Sequence, residues 1–268
     1  MNRHLITYKA DELLPYIDWS YFFHAWGISH SNIECEAAQQ LQKEAISFIK
    51  ARDNCRVNTI FRLCDARSDG DNIYLDDTLL PLLRQQHCSS APNLCLSDFV
   101  SPRADKIGVF STAIENNFEE SRNTSDPYKN LLIQTIADRL AEAAATLLHR
   151  EVRTSSALWG YAPQEQLTPK ELNLEKYQGI RPAVGYPSLP DQSLIFIIDK
   201  LLNLSDAGIT LTTSGAMKPH ASVCGIMISH PASHYFAVGN ISDEQFNDYA
   251  MRRGIDKSEL KKYLVKNI

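Results

Sequence analysis

One stretch of this chain constrains the fold more than any other: DPYKNLLIQTIADRLAEAAATLLHREV, residues 126–152. Leu132, Ile136, Leu140, Ala143 and Leu147 recur at steps of three and four and form one continuous apolar stripe. Asp126 is a good N-cap, and Pro127 suits the first helical position, where its missing N–H costs nothing. The run reads as a long helix with one face committed to a core. Residues 31–52 place Ile33, Ala37, Leu41, Ala45 and Phe48 on a second, surface-helix stripe. VNTIFRLC (57–64) and IYL (73–75) flank a turn at Asp69-Gly70 and read as a hairpin, and KIGVFSTAI (106–114) reads as a further strand. An apolar helix is expected around 190–203 and a short strand at ITLT (209–212). ASVCGIMISH and HYFAVGNI read as two strands joined at Pro231. The chain closes in two helices, the first capped by Ser242, with Gln245 completing a capping box and Gly254 as a stop. Paired strands and separate helical blocks argue for an α+β class with antiparallel pairing. No repeat or linker interrupts residues 1–268, so one continuous domain is expected.

The 268 residues are 44% hydrophobic, enough for a full core, and carry a formal net charge of −5 without any Lys/Arg run. That charge gives no field for a phosphate backbone, so a nucleic-acid partner is not expected. The first residues lack an apolar signal segment, and LIFII (194–198) is far too short to span a bilayer, so a soluble cytoplasmic protein without membrane attachment is expected. Six cysteines are scattered without a CxxC pair and read as reduced thiols. His87, Cys88 and Cys95 fit no zinc template, and no metal site is expected. Dinucleotide, P-loop, zincin and nucleophile-elbow motifs are all absent, and with them any expectation of a catalytic triad.

GIRPAVGYP (179–187) cannot be a helix interior, because Pro182 and Pro187 each remove a backbone donor. It is either a loop or a stiffened, extended strip that holds Arg181 and Tyr186 at a fixed separation beside a ligand, with Gly185 permitting a close approach to the backbone. Other polar residues have double readings as well. Asp18 could simply cap a helix starting at WSYFF, whose Trp19, Phe22, Phe23 and Trp26 read as core. Glu142 lies away from the apolar stripe with Arg139 three residues before it, the pattern of a solvated face.

Several blocks together resemble the reactivation domain of cobalamin-dependent methionine synthase. They are YIDWSYFFHAWGI (16–28), LSDFVSP (96–102), IADRLAEAAATLLHREVR (136–153), WGYAP (159–163), YQGIRPAVGYPSLPD (177–191), GAMKPHASVCG (215–225), SHPASHYFAVG (229–239) and DYAMRRG (248–254). Together they run over nearly the whole chain in the family's order. The resemblance implies a single C-shaped, helmet-like α+β domain with a bent antiparallel sheet and flanking helices. It implies binding of S-adenosylmethionine (AdoMet) and a repair reaction in which cob(II)alamin, given an electron by flavodoxin or a similar donor and a methyl group by AdoMet, returns to methylcobalamin.

Carried over motif by motif, the resemblance assigns AdoMet contacts to Asp18, Glu142, Arg181, Tyr186 and Tyr235, backbone contacts to Ala183, Val184 and Gly185, and a weaker role to Glu175. The residue types suit the ligand: an arginine matches a carboxylate, acidic groups match an ammonium and a sulfonium, and aromatic faces match the sulfonium or adenine. Three positions depart from the family: Val184 where proline is common, Gln192 where histidine is common, and Lys218 where an aromatic is common. The chain has no room for homocysteine, folate and cobalamin modules. A stand-alone reactivation subunit serving a separate cobalamin-binding partner is therefore expected. The alternative is a non-catalytic AdoMet-binding regulatory or assembly module of a corrinoid complex.

Overall fold

The computed structural model describes residues 3–52, 54–86, 92–121 and 124–267. In chain order the elements are β1 (Arg3–Lys9), α1 (Trp19–Ala25), α2 (Glu36–Lys50), β2 (Arg56–Asp69), β3 (Asn72–Leu75), β4 (Thr78–Pro81), β5 (Asp105–Ile114), α3 (Asn116–Glu120) and α4 (Pro127–Thr154). There follow α5 (Pro169–Asn173), α6 (Ile195–Leu202), β6 (Thr210–Leu211), β7 (Met217–Lys218), β8 (Ser222–Met227), α7 (Asp243–Arg253) and α8 (Lys257–Tyr263). The main sheet runs β4-β3-β2-β5-β8, with β1 also paired to β2, and every pairing is antiparallel. β2 carries the curl. One of its edges pairs with β5 over Val57–Ala66, while the other pairs first with β1 up to Arg62 and then with β3 from Ala66. The result is a strongly curled antiparallel half-barrel flanked by helices, the α+β architecture expected from the sequence.

Alternation along the strands feeds two cores, one on each face of the sheet. Phe61, Phe110, Val223 and Met227 point to the α4 face, where they meet Leu140, Ala144 and Leu148. Ile60, Cys64, Val109, Cys224 and Ile226 point to the other face and pack against Ile195 and Ile198 of α6. α4 begins as its sequence requires: Asp126 accepts hydrogen bonds from the amides of Tyr128 (2.9 Å) and Lys129 (3.3 Å), with Pro127 in the first turn. All five predicted stripe residues are buried, but so is everything from Ala143 to His149, because residues 14–16 and helices α1, α2 and α3 also pack against α4 away from the sheet.

Several expectations need correction. The α2 stripe is Ala38, Leu41, Ala45 and Ile49, while Ala37 is exposed and Ile33 precedes the helix. The apolar helix at 190–203 is regular only over Ile195–Leu202. Ser242 caps α7 by accepting from the Gln245 amide, but the Gln245 side chain turns to the Arg84 backbone instead of completing a capping box. The strand expected at 234–241 is an extended segment outside any ladder. Its backbone is held by loop partners: Val238 N–H donates to the Pro187 carbonyl (2.9 Å), and the Phe236 amide and carbonyl both bond the Ser188 hydroxyl. β1, which carried no clear sequence signal, completes the sheet. His87 and Cys88 lie outside the described residues, and Cys95 is a buried free thiol.

The strip 179–187 is neither a loose loop nor a regular strand. Ile180 exchanges two 2.9 Å hydrogen bonds with Ile228, the Ile226 amide donates to the Pro182 carbonyl (3.1 Å), and the Val184 amide donates to the Cys224 carbonyl (2.8 Å). This is antiparallel pairing along the free edge of β8, interrupted because Pro182 has no N–H to return. Gly225 makes the approach possible: a Cβ there would lie 2.3 Å from the Pro182 oxygen and 2.8 Å from the Ala183 Cα. Gly225→Ala is therefore expected to push the strip off β8 and destabilise the fold by about 1–3 kcal/mol, read as a fall of several degrees in Tm.

Candidate functional site: a charged cavity between helix and strip

The edge pairing fixes which way the strip's side chains point. Ile180 and Val184 enter the core shared with α6, and Arg181 and Ala183 face the opposite side. There, a cavity of about 550 Å³ opens between the strip, the middle of α4, the start of α1 and the end of α5. Its floor is apolar and includes Phe110, Ala143 and Val223. Its polar lining includes Asp18, Arg139, Glu142, Glu175, Arg181, Tyr186 and Tyr235. The volume is of the size that takes a single small organic molecule, within the usual range of about 300–1,000 Å³.

Arg181 is the half-buried cation of this cavity. Its Nη1 donates to the Tyr177 hydroxyl (2.9 Å) and its Nη2 to Thr146 Oγ1 (2.9 Å), while its backbone N–H donates to the Tyr235 hydroxyl (2.9 Å). Burial alone would lower its pKa, but Tyr177, Tyr235, Glu142 and Glu175 outweigh burial and hold the guanidinium charged. Burial raises the Tyr235 phenol far above its ordinary value, so this hydroxyl stays neutral. Thr146 stands one turn beyond Glu142 on α4 and donates its own hydrogen to the Glu142 carbonyl (3.1 Å). The Glu142 carboxylate accepts from the Tyr186 hydroxyl at 2.6 Å, tying the helix to the far end of the strip.

Asp18 is the helix cap its local pattern reads, and it also borders the cavity. As N-cap of α1 its Oδ1 accepts from the Ser20 amide (2.9 Å) and the Ser20 hydroxyl, and Oδ2 makes no hydrogen bond to any described residue. The carboxylate lines the cavity. Glu175, exposed and with φ +54, lines it from the loop after α5.

The three expected backbone positions are treated differently. Ala183 lines the cavity, and pairing with Gly225 turns its N–H away from β8. The Val184 amide is committed to Cys224 and the Gly185 amide to the Leu189 carbonyl (2.8 Å), and neither residue lines this cavity. Gly185 does admit a close neighbour: with φ +84, its missing Cβ leaves room for the Gln192 side chain, whose Oε1 would otherwise lie at 2.4 Å. The sequence reading missed Tyr177, Thr146, Tyr21 and Arg139 as lining residues. The signals were present: Thr146 is four residues from Glu142, and Tyr177 sits in the same block as Arg181.

Behind the cavity lies a second layer of buried polar groups. Arg153, fully buried, is paired with Glu165 at 2.7 Å and stacks over the Tyr177 ring at 4.4 Å. His149, also fully buried, bonds the Tyr161 hydroxyl through Nε2 (2.9 Å) and packs edge-on against Tyr177.

A curled half-barrel clamped by one long helix, with two arginines and three carboxylates around an apolar-floored cavity, is the kind of domain that suits a small ligand of mixed charge. The family model described as vitamin B12 dependent methionine synthase, activation domain, matches residues 9–254, and the chain belongs to that family. The chain is also similar to the crystal structure of the MetH reactivation domain bound to AdoHcy: 35% sequence identity, a TM-score of 0.93, and coverage of 100% of this chain and 90% of that one.

His149 supplies a pH test of the layer behind the cavity. Burial, then the charges of Arg153 and Arg181, hold its pKa well below the ordinary value, so the folded state refuses a proton that the unfolded chain accepts below about pH 6.5. Stability should therefore fall as pH drops through that value, at about 1.4 kcal/mol per unit from this residue. Urea unfolding at pH 7.5 and 5.5 should show this loss, and His149→Gln should remove that increment.

Proposed function

We propose that this domain binds AdoMet in the cavity between α4 and the 179–187 strip and presents it for reductive methylation of cob(II)alamin carried by a partner protein. The observation that carries the reading is the convergence of Arg181, Asp18, Glu142, Tyr186, Tyr235 and Ala183 on one cavity, although they come from four separate parts of the chain. The donor set fits the ligand. Arg181 offers its guanidinium face to an α-carboxylate, and the unpartnered Asp18 Oδ2 and the Ala183 N–H offer an acceptor and a donor to the polar parts of the molecule. Glu142 and Glu175 place negative charge where two cationic centres would sit. Tyr186 and Tyr235 add aromatic faces.

When bound, AdoMet supplies a methyl group already activated by its sulfonium, for transfer to reduced cobalt. The protein therefore needs no general base, and its contribution is orientation. The hydrogen bond from Tyr186 to Glu142 ties the strip to α4 beside the cavity, and the hydrogen bonds to Tyr177 and Thr146 anchor Arg181. The partner in this reading is the cobalamin-binding part of a methionine synthase, and the electron comes from a flavodoxin-like or similar donor. Residues 1–268 act together as one binding domain. Among the described residues no helix is long and apolar enough to cross a membrane, and we place the reaction in the cytoplasm.

Titration calorimetry tests the binding step. Arg181→Ala should weaken AdoMet by about 10- to 150-fold, the ~1.5–3 kcal/mol of a charge-assisted pair, and Glu142→Gln should weaken it less. Mixing the domain with a cobalamin-loaded partner, a reductant and methyl-labelled AdoMet should give labelled methylcobalamin. Binding without any label transfer would leave a regulatory module and reject the methylation role.

A further inference from the structure

Arg181 can serve a carboxylate only if its guanidinium is held still, and the structure shows an unusual amount of material devoted to that. Its two terminal nitrogens are each held at 2.9 Å by a neutral hydroxyl, from Tyr177 and Thr146, with no carboxylate of a described residue within ion-pair distance. A neutral acceptor orients a guanidinium without neutralising it, which leaves the charge available to an incoming anion. Both hydroxyls are themselves fixed. Thr146 spends its hydrogen on the Glu142 carbonyl within α4, so its oxygen lone pairs are turned to the arginine. Tyr177 is immobilised from behind. Its ring lies under the Arg153 guanidinium at 4.4 Å and against the His149 ring at 5.0 Å, and Arg153 is in turn gripped by Glu165 through Nε (2.8 and 3.0 Å). The Tyr177 hydroxyl also meets the Tyr235 hydroxyl at 3.4 Å, and Tyr235 receives the Arg181 amide.

We infer that Tyr177 and Thr146 are positioning residues that lock the Arg181 guanidinium in the orientation that reads the ligand's carboxylate, with Arg153 and His149 fixing Tyr177. The inference rests on the AdoMet reading above. It assigns the two hydroxyls a role in ligand discrimination, separate from their place in the packing.

The test compares AdoMet with decarboxylated AdoMet, which keeps the sulfonium, ammonium and adenosyl parts and lacks only the group Arg181 reads. Tyr177→Phe keeps the ring and its stacking and removes one hydroxyl. Its Kd for AdoMet should rise about five- to tenfold, the net worth of one ordinary hydrogen bond because the arginine keeps its other anchor, while its Kd for the decarboxylated ligand stays within about twofold. Thr146→Val should repeat the pattern from the helix side, so that a folding defect in one variant does not decide the matter. Arg181→Ala is the reference and should abolish the preference for the carboxylate. If Arg181→Ala abolishes it while both hydroxyl variants keep it, or if they weaken both ligands equally, the positioning role is overturned and the AdoMet reading stands. If Arg181→Ala leaves the preference intact, both fall.

Discussion

The pairing of residues 180–184 with the free edge of β8 is the contact on which the site depends. It is a short ladder with a gap at Pro182, admitted by the bare backbone of Gly225. Its effect is directional: antiparallel register sends alternate side chains to opposite faces, so Ile180 and Val184 anchor the strip in the core with α6 while Arg181 and Ala183 are presented to the cavity. Rigidity at the site is thus derived from the sheet, and the half-barrel's curl brings α4 close enough for Glu142 and Thr146 to meet what the strip presents.

Much of this was legible in the sequence where the determinants are local. The α4 stripe, its Asp126 cap and its Pro127 start are encoded within neighbouring turns, and they appear as read. The hairpin across Asp69-Gly70 and the strand at 106–114 follow from β-rich runs around a tight turn. What escaped depends on distant partners. β1 is a strand because β2 has an open edge, and no periodicity in RHLITYK announces that. Residues 234–241 have strand-like composition, but their amides and carbonyls find Pro187, Ser188 and Gln85, so composition alone misassigned them.

The site shows the same division. Asp18, Glu142 and Arg181 each have a bland reading from local pattern, and for Asp18 the structure bears that reading out. A carboxylate has two oxygens, and spending one on the α1 cap leaves the other without a hydrogen bond among the described residues, on a residue that lines the cavity. Glu142 stays partly exposed, as its local pattern reads, but its carboxylate meets the strip through Tyr186, a contact no helical wheel contains. Tyr177 and Thr146 carry only the weak signal of their spacing from Arg181 and Glu142, because a hydroxyl that hydrogen-bonds another side chain has no motif of its own.

The alternation along the strip has one more consequence. Inserting or deleting a single residue between Arg181 and Val184 would put the two on the same face, so that either Val184 would enter the cavity or the guanidinium of Arg181 would be driven into an apolar core. Length within this segment is therefore as constrained as identity: the count of residues is frozen by the geometry of the pleat.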